Sequence, residues 1–107
     1  IGIQKSKMPN TMHDVDNETT LILENSDYKK FIVHKTGHGL GLDVHEDPYI
    51  VRGNKTSLEE GMVITIEPGL YIPEKFGIRI EDDVLITNNQ PRVLTSFSKE
   101  LRIINNE

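Results

Sequence analysis

The stretch GMVITIEPGLYIPEKFGIRIEDDVLIT, residues 61–87, decides the fold. From Met62 to Ile72 the residues alternate. Val63, Thr65 and Glu67 face one way, and Met62, Ile64 and Ile66 face the other, the period of a half-buried strand. Ile78 and Ile80 alternate in the same manner with Arg79 and Glu81, and Val84 to Thr87 continues a strand. The connection between the two arms is short enough for hairpin-like pairing, which predicts that the polar faces carrying Glu67 and Glu81 lie side by side.

Working outward, Asn88 to Pro91 reads as a turn, and Val93–Thr95 and Leu101–Ile104 read as short closing strands. Gly53 to Gly61 is polar and loop-like, with a candidate helical turn around Ser57 to Glu60. Upstream lies HKTGHGLGLDVHEDP, residues 34–48. The three glycines between Thr36 and Gly41 predict a tight, backbone-permissive turn, entered from a strand-like run at Phe31–Val33. Thr11 is a helix N-cap with Asp14 as its capping-box partner. Met12, Val15, Ile22 and Leu23, with Thr19 between them, recur at helical spacing. They predict one amphipathic helix over Thr11–Glu24, stopped at Asn25 and Ser26, while Ile1–Pro9 reads as an entry loop. Helix first and antiparallel strands afterwards make the fold class α+β.

With 107 residues, the chain is one modest domain or part of a larger one, and we expect a single partial domain over residues 1–107. The net charge of −5 argues against a surface built for nucleic-acid phosphates. Cysteine is absent, so any metal must rest on His, Asp and Glu. No apolar run approaches the roughly 20 residues needed to span a bilayer, and Ile1–Asn10 lacks the central apolar block of a signal peptide. No membrane partner is expected, and the cytoplasm is the expected location. A start at Ile1 rather than methionine leads us to expect a processed or truncated product.

Two carboxylates on neighbouring strands repel unless something positive sits between them. A pair of divalent ions removes that cost, with Glu81 able to bridge two ions and Glu67 able to bind one while touching an attacking water. His38, flanked by Gly37 and Gly39, can approach a metal without crowding. His45 is a candidate to steady an oxyanion or donate a proton, and His34 could line the same cleft. Each residue also has a plain structural reading. His13 on the helix is an ordinary surface histidine, Arg79 and Glu81 could form an exposed cross-strand ion pair, and Pro68–Gly69 could be a simple bulge. Taken jointly, three histidines and two glutamates in these contexts favour the functional reading.

These three segments, HKTGHGLGLDVHEDP, TIEPGLY and GIRIEDD, resemble the signature blocks of the pita-bread metallopeptidases. Within that group they look like the Xaa-Pro peptidases, the proline dipeptidases and aminopeptidase P. Where methionine aminopeptidases usually carry a glutamate-histidine pair, this chain has Glu81 and Asp82. The resemblance covers about Thr11 to Ile104 and implies the C-terminal half of a pita-bread fold, an antiparallel sheet with one or two helices. It implies His38, Glu67 and Glu81 as metal ligands, with Glu67 also exchanging a proton with the nucleophilic water. It implies His45 at the substrate carbonyl or scissile nitrogen, His34 shaping the substrate site, and Arg79 holding the hydrogen-bond network beside the metals. The implied cofactors are two divalent ions, manganese, cobalt or zinc. The implied substrate is a peptide or dipeptide with proline second, and the implied assembly is a homodimer.

Two departures qualify the resemblance. Tyr49 follows Pro48 where proline dipeptidases often set a basic residue, and Arg52 is the nearest cation, so peptide length stays open. The family's first two metal-binding aspartates belong to the other half of the fold, farther upstream than this chain reaches. Asp14 and Asp16 are not substitutes, because they point to different faces of the helix. The chain is therefore expected to supply three of five ligands and to be inactive alone. Two competing readings are a non-catalytic scaffold relative and an unrelated α+β domain.

Overall fold

A computed structural model describes residues 1–105 of the chain. Two helices come first: α1, Gly2–Lys5, and α2, Met12–Glu24. Seven strands follow: β1, Gly37–Gly39; β2, Glu46–Ile50; β3, Val63–Ile66; β4, Gly69–Ile72; β5, Phe76–Arg79; β6, Asp82–Leu85; and β7, Arg92–Val93. A five-stranded sheet has the order β2-β1-β3-β6-β7, and β4-β5 form a separate two-stranded ladder. All pairings are antiparallel. Among the described residues no helix is long and apolar enough to cross a membrane.

Helix α2 begins where the capping box predicts. The Thr11 backbone N–H donates to Asp14 Oδ2 at 2.8 Å, and the Asp14 N–H donates back to Thr11 Oγ1 at 3.3 Å. Its buried face is Met12, Val15, Asp16 and Thr19. Ile22, expected on that face, is instead 52% exposed. Met12 and Val15 pack with Ile50, Leu58, Ile64, Ile66, Val84 and Ile86 to form the core. Fully burying one such side chain stabilises the fold by about 1.5–3 kcal/mol. Because Ile64 and Ile66 occupy this face, Thr65 and Glu67 must emerge on the other.

The two arms of the 61–87 segment share one register. Stepping outward from Ile66↔Asp82 along both strands reaches Gly69↔Arg79, the first pair of the β4–β5 ladder. Between these ladders the Ile80 N–H donates to the Pro68 carbonyl at 3.3 Å, and proline has no N–H to return the bond. Glu67 thus lies opposite Glu81 where the regular ladder pauses. The Glu67 N–H turns away to the Thr36 carbonyl at 2.7 Å. That makes Glu67/Glu81 a non-hydrogen-bonded pair, the kind that brings opposite side chains closer.

Several local expectations are corrected. The glycine-rich turn at Thr36–Gly41 contains β1, paired on both sides by β2 and β3. Phe31–Val33 is not a strand, because Lys29–Phe31 forms a single 3₁₀ turn. Ile1–Pro9 holds the short helix α1. Ser57 makes an extended bridge to Thr11 instead of opening a helical turn. The closing strands shrink to Arg92–Val93, and Leu101–Ile104 makes no ladder, leaving Leu101 89% exposed. β2 was not anticipated. It contains Pro48, which an edge strand tolerates.

Candidate metal centre

Alternation along β1, β3 and the Arg79–Asp83 arm brings His38, Thr65, Glu67, Arg79, Glu81 and Asp83 onto one cleft of about 380 Å³. Leu40, Val44 and His45 complete its lining. A groove of about 430 Å³ on the β4–β5 hairpin, lined by Tyr28, Leu70, Phe76 and Ile78 among others, contains no histidine or carboxylate.

His38 is 6% exposed and is held at its backbone and its ring. Its N–H donates to Thr65 Oγ1 at 3.0 Å. Its Nδ1 lies 2.8 Å from the Gly39 carbonyl, which accepts only from a protonated ring nitrogen. In the neutral ring this places the lone pair on Nε2, the arrangement metal-ligating histidines use. That Nε2 lies 3.0 Å from Glu67 Oε1. A proton on Nε2, or a cation held by both groups, satisfies a contact this short. Donors bound at about 2.1 Å and at right angles around one ion lie about 3 Å apart, so this pair fits two ligands of one divalent cation. Among the described residues no three His, Asp or Glu groups are assembled closely enough to hold an ion by themselves.

Arg79 occupies the space between the carboxylates. Its Nε is 3.7 Å from Glu67 Oε2 and 3.8 Å from Glu81 Oε2. These are ion pairs without close hydrogen bonds, and with Arg79 half exposed each contributes at most about 1 kcal/mol. The guanidinium relieves the repulsion between the glutamates and leaves Glu67 Oε1 turned towards His38. The His45 ring sits 4.3 Å, centroid to centroid, from that of His38 at a tilt of 48°, on the exposed loop leading into β2.

His34 is placed apart from this cleft lining. Its Nδ1 is 2.7 Å from the Lys35 carbonyl, and its Nε2 is 3.2 Å from the Tyr71 hydroxyl. The ring packs edge-on to Tyr71 at 5.3 Å and lies against Gly69, on the far side of Pro68 from Glu67. Asp14 and Asp16 are occupied elsewhere. Asp14 caps α2, and Asp16 accepts from the Thr36 hydroxyl and from the Arg52 N–H. Arg52 pairs with Glu24 through two bonds of 2.7 and 2.9 Å and does not line the cleft.

Thr65 and Asp83 line the cleft although neither is among the expected site residues, Asp83 being no better placed by sequence than Asp14 or Asp16 to replace a missing ligand. Both were recoverable from the two-residue period, since each lies two positions from one of the glutamates on the same face.

The profile of metallopeptidase family M24 matches residues 1–88, and the chain belongs to that family. Membership implies a divalent metal cofactor. Among particular relatives, the chain is 44% identical over 100 residues to the Xaa-Pro dipeptidase of Pyrococcus furiosus, covering 94% of this chain and 29% of that protein. The crystal structure of the prolidase from Pyrococcus horikoshii superposes with a TM-score of 0.90 at 42% identity, over 94% of this chain and 29% of the other. The Xaa-Pro dipeptidase from Bacillus anthracis gives a TM-score of 0.91 at 40% identity, over 96% and 29%. The chain thus spans less than a third of the length of these relatives.

Proposed function

We propose that the protein carrying this chain hydrolyses the bond between an N-terminal residue and proline in dipeptides or short peptides. The observation that carries the reading is the meeting of His38, Glu67 and Glu81 on one cleft, in a family whose similar members are named Xaa-Pro dipeptidases. Two divalent ions, manganese, cobalt or zinc, held by His38, Glu67 and Glu81 together with ligands from outside this chain, would polarise the substrate carbonyl and supply a nucleophilic hydroxide near neutral pH.

Glu67 accepts the proton of the attacking water. An Xaa-Pro bond has no amide hydrogen, and the leaving proline nitrogen must receive a proton before it departs as an amine. Glu67 returns the proton there. His45, beside His38, donates to the carbonyl oxygen as negative charge grows on it. Arg79 keeps the two carboxylates in place when the cations are absent. His34, next to Tyr71, forms an outer wall of the substrate site. With Arg52 engaged by Glu24, recognition of a dipeptide carboxylate falls to another group. This chain offers three of the protein ligands and is inactive by itself. A homodimer and a cytoplasmic location belong to the same proposal, checked by light scattering and cell fractionation.

Turnover of an Xaa-Pro dipeptide by the intact protein, with and without Mn²⁺, tests the reading. Metal-dependent release of proline is expected, and Glu67→Gln should remove it while leaving the melting temperature unchanged. Absence of turnover under every divalent metal would favour a scaffold role instead.

A further inference from the structure

We infer that Thr65 is a positioning residue that aligns the His38 and Glu67 donors, an inference that rests on the metal-centre reading above. Thr65 is 2% exposed, yet its side chain is polar and lies on the cleft side of β3. A hydroxyl carries one proton and can also accept, and Thr65 uses both capacities. Its Oγ1 accepts the His38 backbone N–H at 3.0 Å and donates to Glu67 Oε1 at 3.0 Å. One side chain thereby holds the backbone of one ligand and the carboxylate of the other. The same Glu67 oxygen lies 3.0 Å from His38 Nε2, so the three groups form a closed ring of contacts.

The neighbouring strand is shaped to admit this hydroxyl. A Cβ at position 37 would stand 2.9 Å from Thr65 Oγ1, so glycine lets β1 approach closely enough for the His38 bond. The proton on Oγ1 points at Glu67 because the other side of the oxygen is occupied by an incoming donor. Thr65 thus fixes which Glu67 oxygen faces His38 and leaves Oε2 to Arg79. A partner that orients a ligand in this way contributes to metal affinity without touching the ion.

The test compares Thr65→Val, nearly equal in shape but without the hydroxyl, with Thr65→Ser, which keeps it, in the intact protein. Mn²⁺ affinity is read by calorimetry, exchange of the β1 amides by hydrogen–deuterium exchange in the metal-free protein, and hydrolysis by proline release. T65V should bind Mn²⁺ about 10–100-fold more weakly and exchange its β1 amides faster. T65S should stay within a few-fold of the parent on both measures. Wild-type affinity in T65V, or a T65S variant as impaired as T65V, would overturn the assignment. A T65V variant that melts lower but binds Mn²⁺ normally would also overturn it, because Thr65 would then be structural only. Should T65V not fold, Thr65→Ala takes its place with the same expected loss. Parent protein that binds Mn²⁺ but cleaves no Xaa-Pro peptide would sink the peptidase reading while leaving the Thr65 result to stand on affinity and exchange.

Discussion

Replacing Gly37 by alanine tests how tightly strand spacing governs the cleft. The new Cβ would stand 2.7 Å from the Thr65 carbonyl carbon and closer still to its oxygen. Carbon atoms prefer separations of about 3.5–4.0 Å, so β1 must retreat from β3 by about 1 Å. The two nearest atoms in the way are backbone and cannot swing aside. His38, the next residue, travels with the strand and leaves its 3.0 Å contacts with Glu67 and Thr65. A misplacement of about 1 Å can cost 10²-fold in rate, and overpacking of this kind destabilises by about 1–3 kcal/mol. G37A should therefore lose about two orders of magnitude in kcat/KM on an Xaa-Pro dipeptide, together with a measurable fall in urea midpoint. Gly53→Ala is the control. Gly53 has φ +91° with nothing within 4 Å of its added Cβ, so it meets backbone strain without any clash. G53A should lose more than about 0.4–1 kcal/mol and keep its kcat/KM. If G37A hydrolyses at the parent rate, strand spacing does not set the donor geometry.

Other expectations can be checked in the same protein. Ile64→Ala, at a fully buried site between α2 and the sheet, should cost about 2–5 kcal/mol in chemical denaturation. Glu74 holds φ 61° in the turn between β4 and β5, where a left-handed backbone costs a branched-chain or long residue about 1–2 kcal/mol; Glu74→Asn should raise the melting temperature, and a fall would mean that the glutamate side chain is needed there. Hydrogen bonds from the Thr11 backbone N–H and hydroxyl hold the Asp14 carboxyl below its ordinary value of 3.8. A carboxyl depressed on folding contributes stability above its unfolded pKa and loses it as pH falls through the folded value. The urea-midpoint gap between the parent and Asp14→Asn should therefore be open at about pH 6 and close on acidification to below the ordinary carboxylate range; a gap that is independent of pH would remove the charge from the explanation.

Elements carried by local signals were legible. The Thr11–Asp14 box marks the start of α2, and the alternation through Ile64, Thr65, Ile66 and Glu67 sorts core from cleft. β1 was not legible, because Gly37–His38–Gly39 has the composition of a turn. It is a strand because β2 and β3 pair with it on both sides, and Gly37 and Gly39 admit that approach where a Cβ would clash. At Gly39 a Cβ would lie 2.7 Å from the Glu46 carbonyl oxygen, beside the register shift between His38 and Gly39. Such closeness is a property of the assembled sheet. The apolar spacing of Leu101–Ile104 misled in the opposite way, since alternation makes a strand only where another edge is there to pair with it. In the cleft, the motif residues were visible but the link between them was not: Thr65 looks like any β-branched strand residue until its hydroxyl is seen between His38 and Glu67.

The unbroken register from β3–β6 into β4–β5 makes the separation of the two acids a matter of counting residues around the Pro73–Lys75 bend. A one-residue change there that slid one arm by a single step, without being absorbed in the loop, would reverse every side chain on that arm. Either acid would then be buried among the isoleucines, and an isoleucine would take its place in the cleft. A change in the length of this bend is therefore compatible with hydrolysis only where the loop takes it up and the pairing of the two arms is kept.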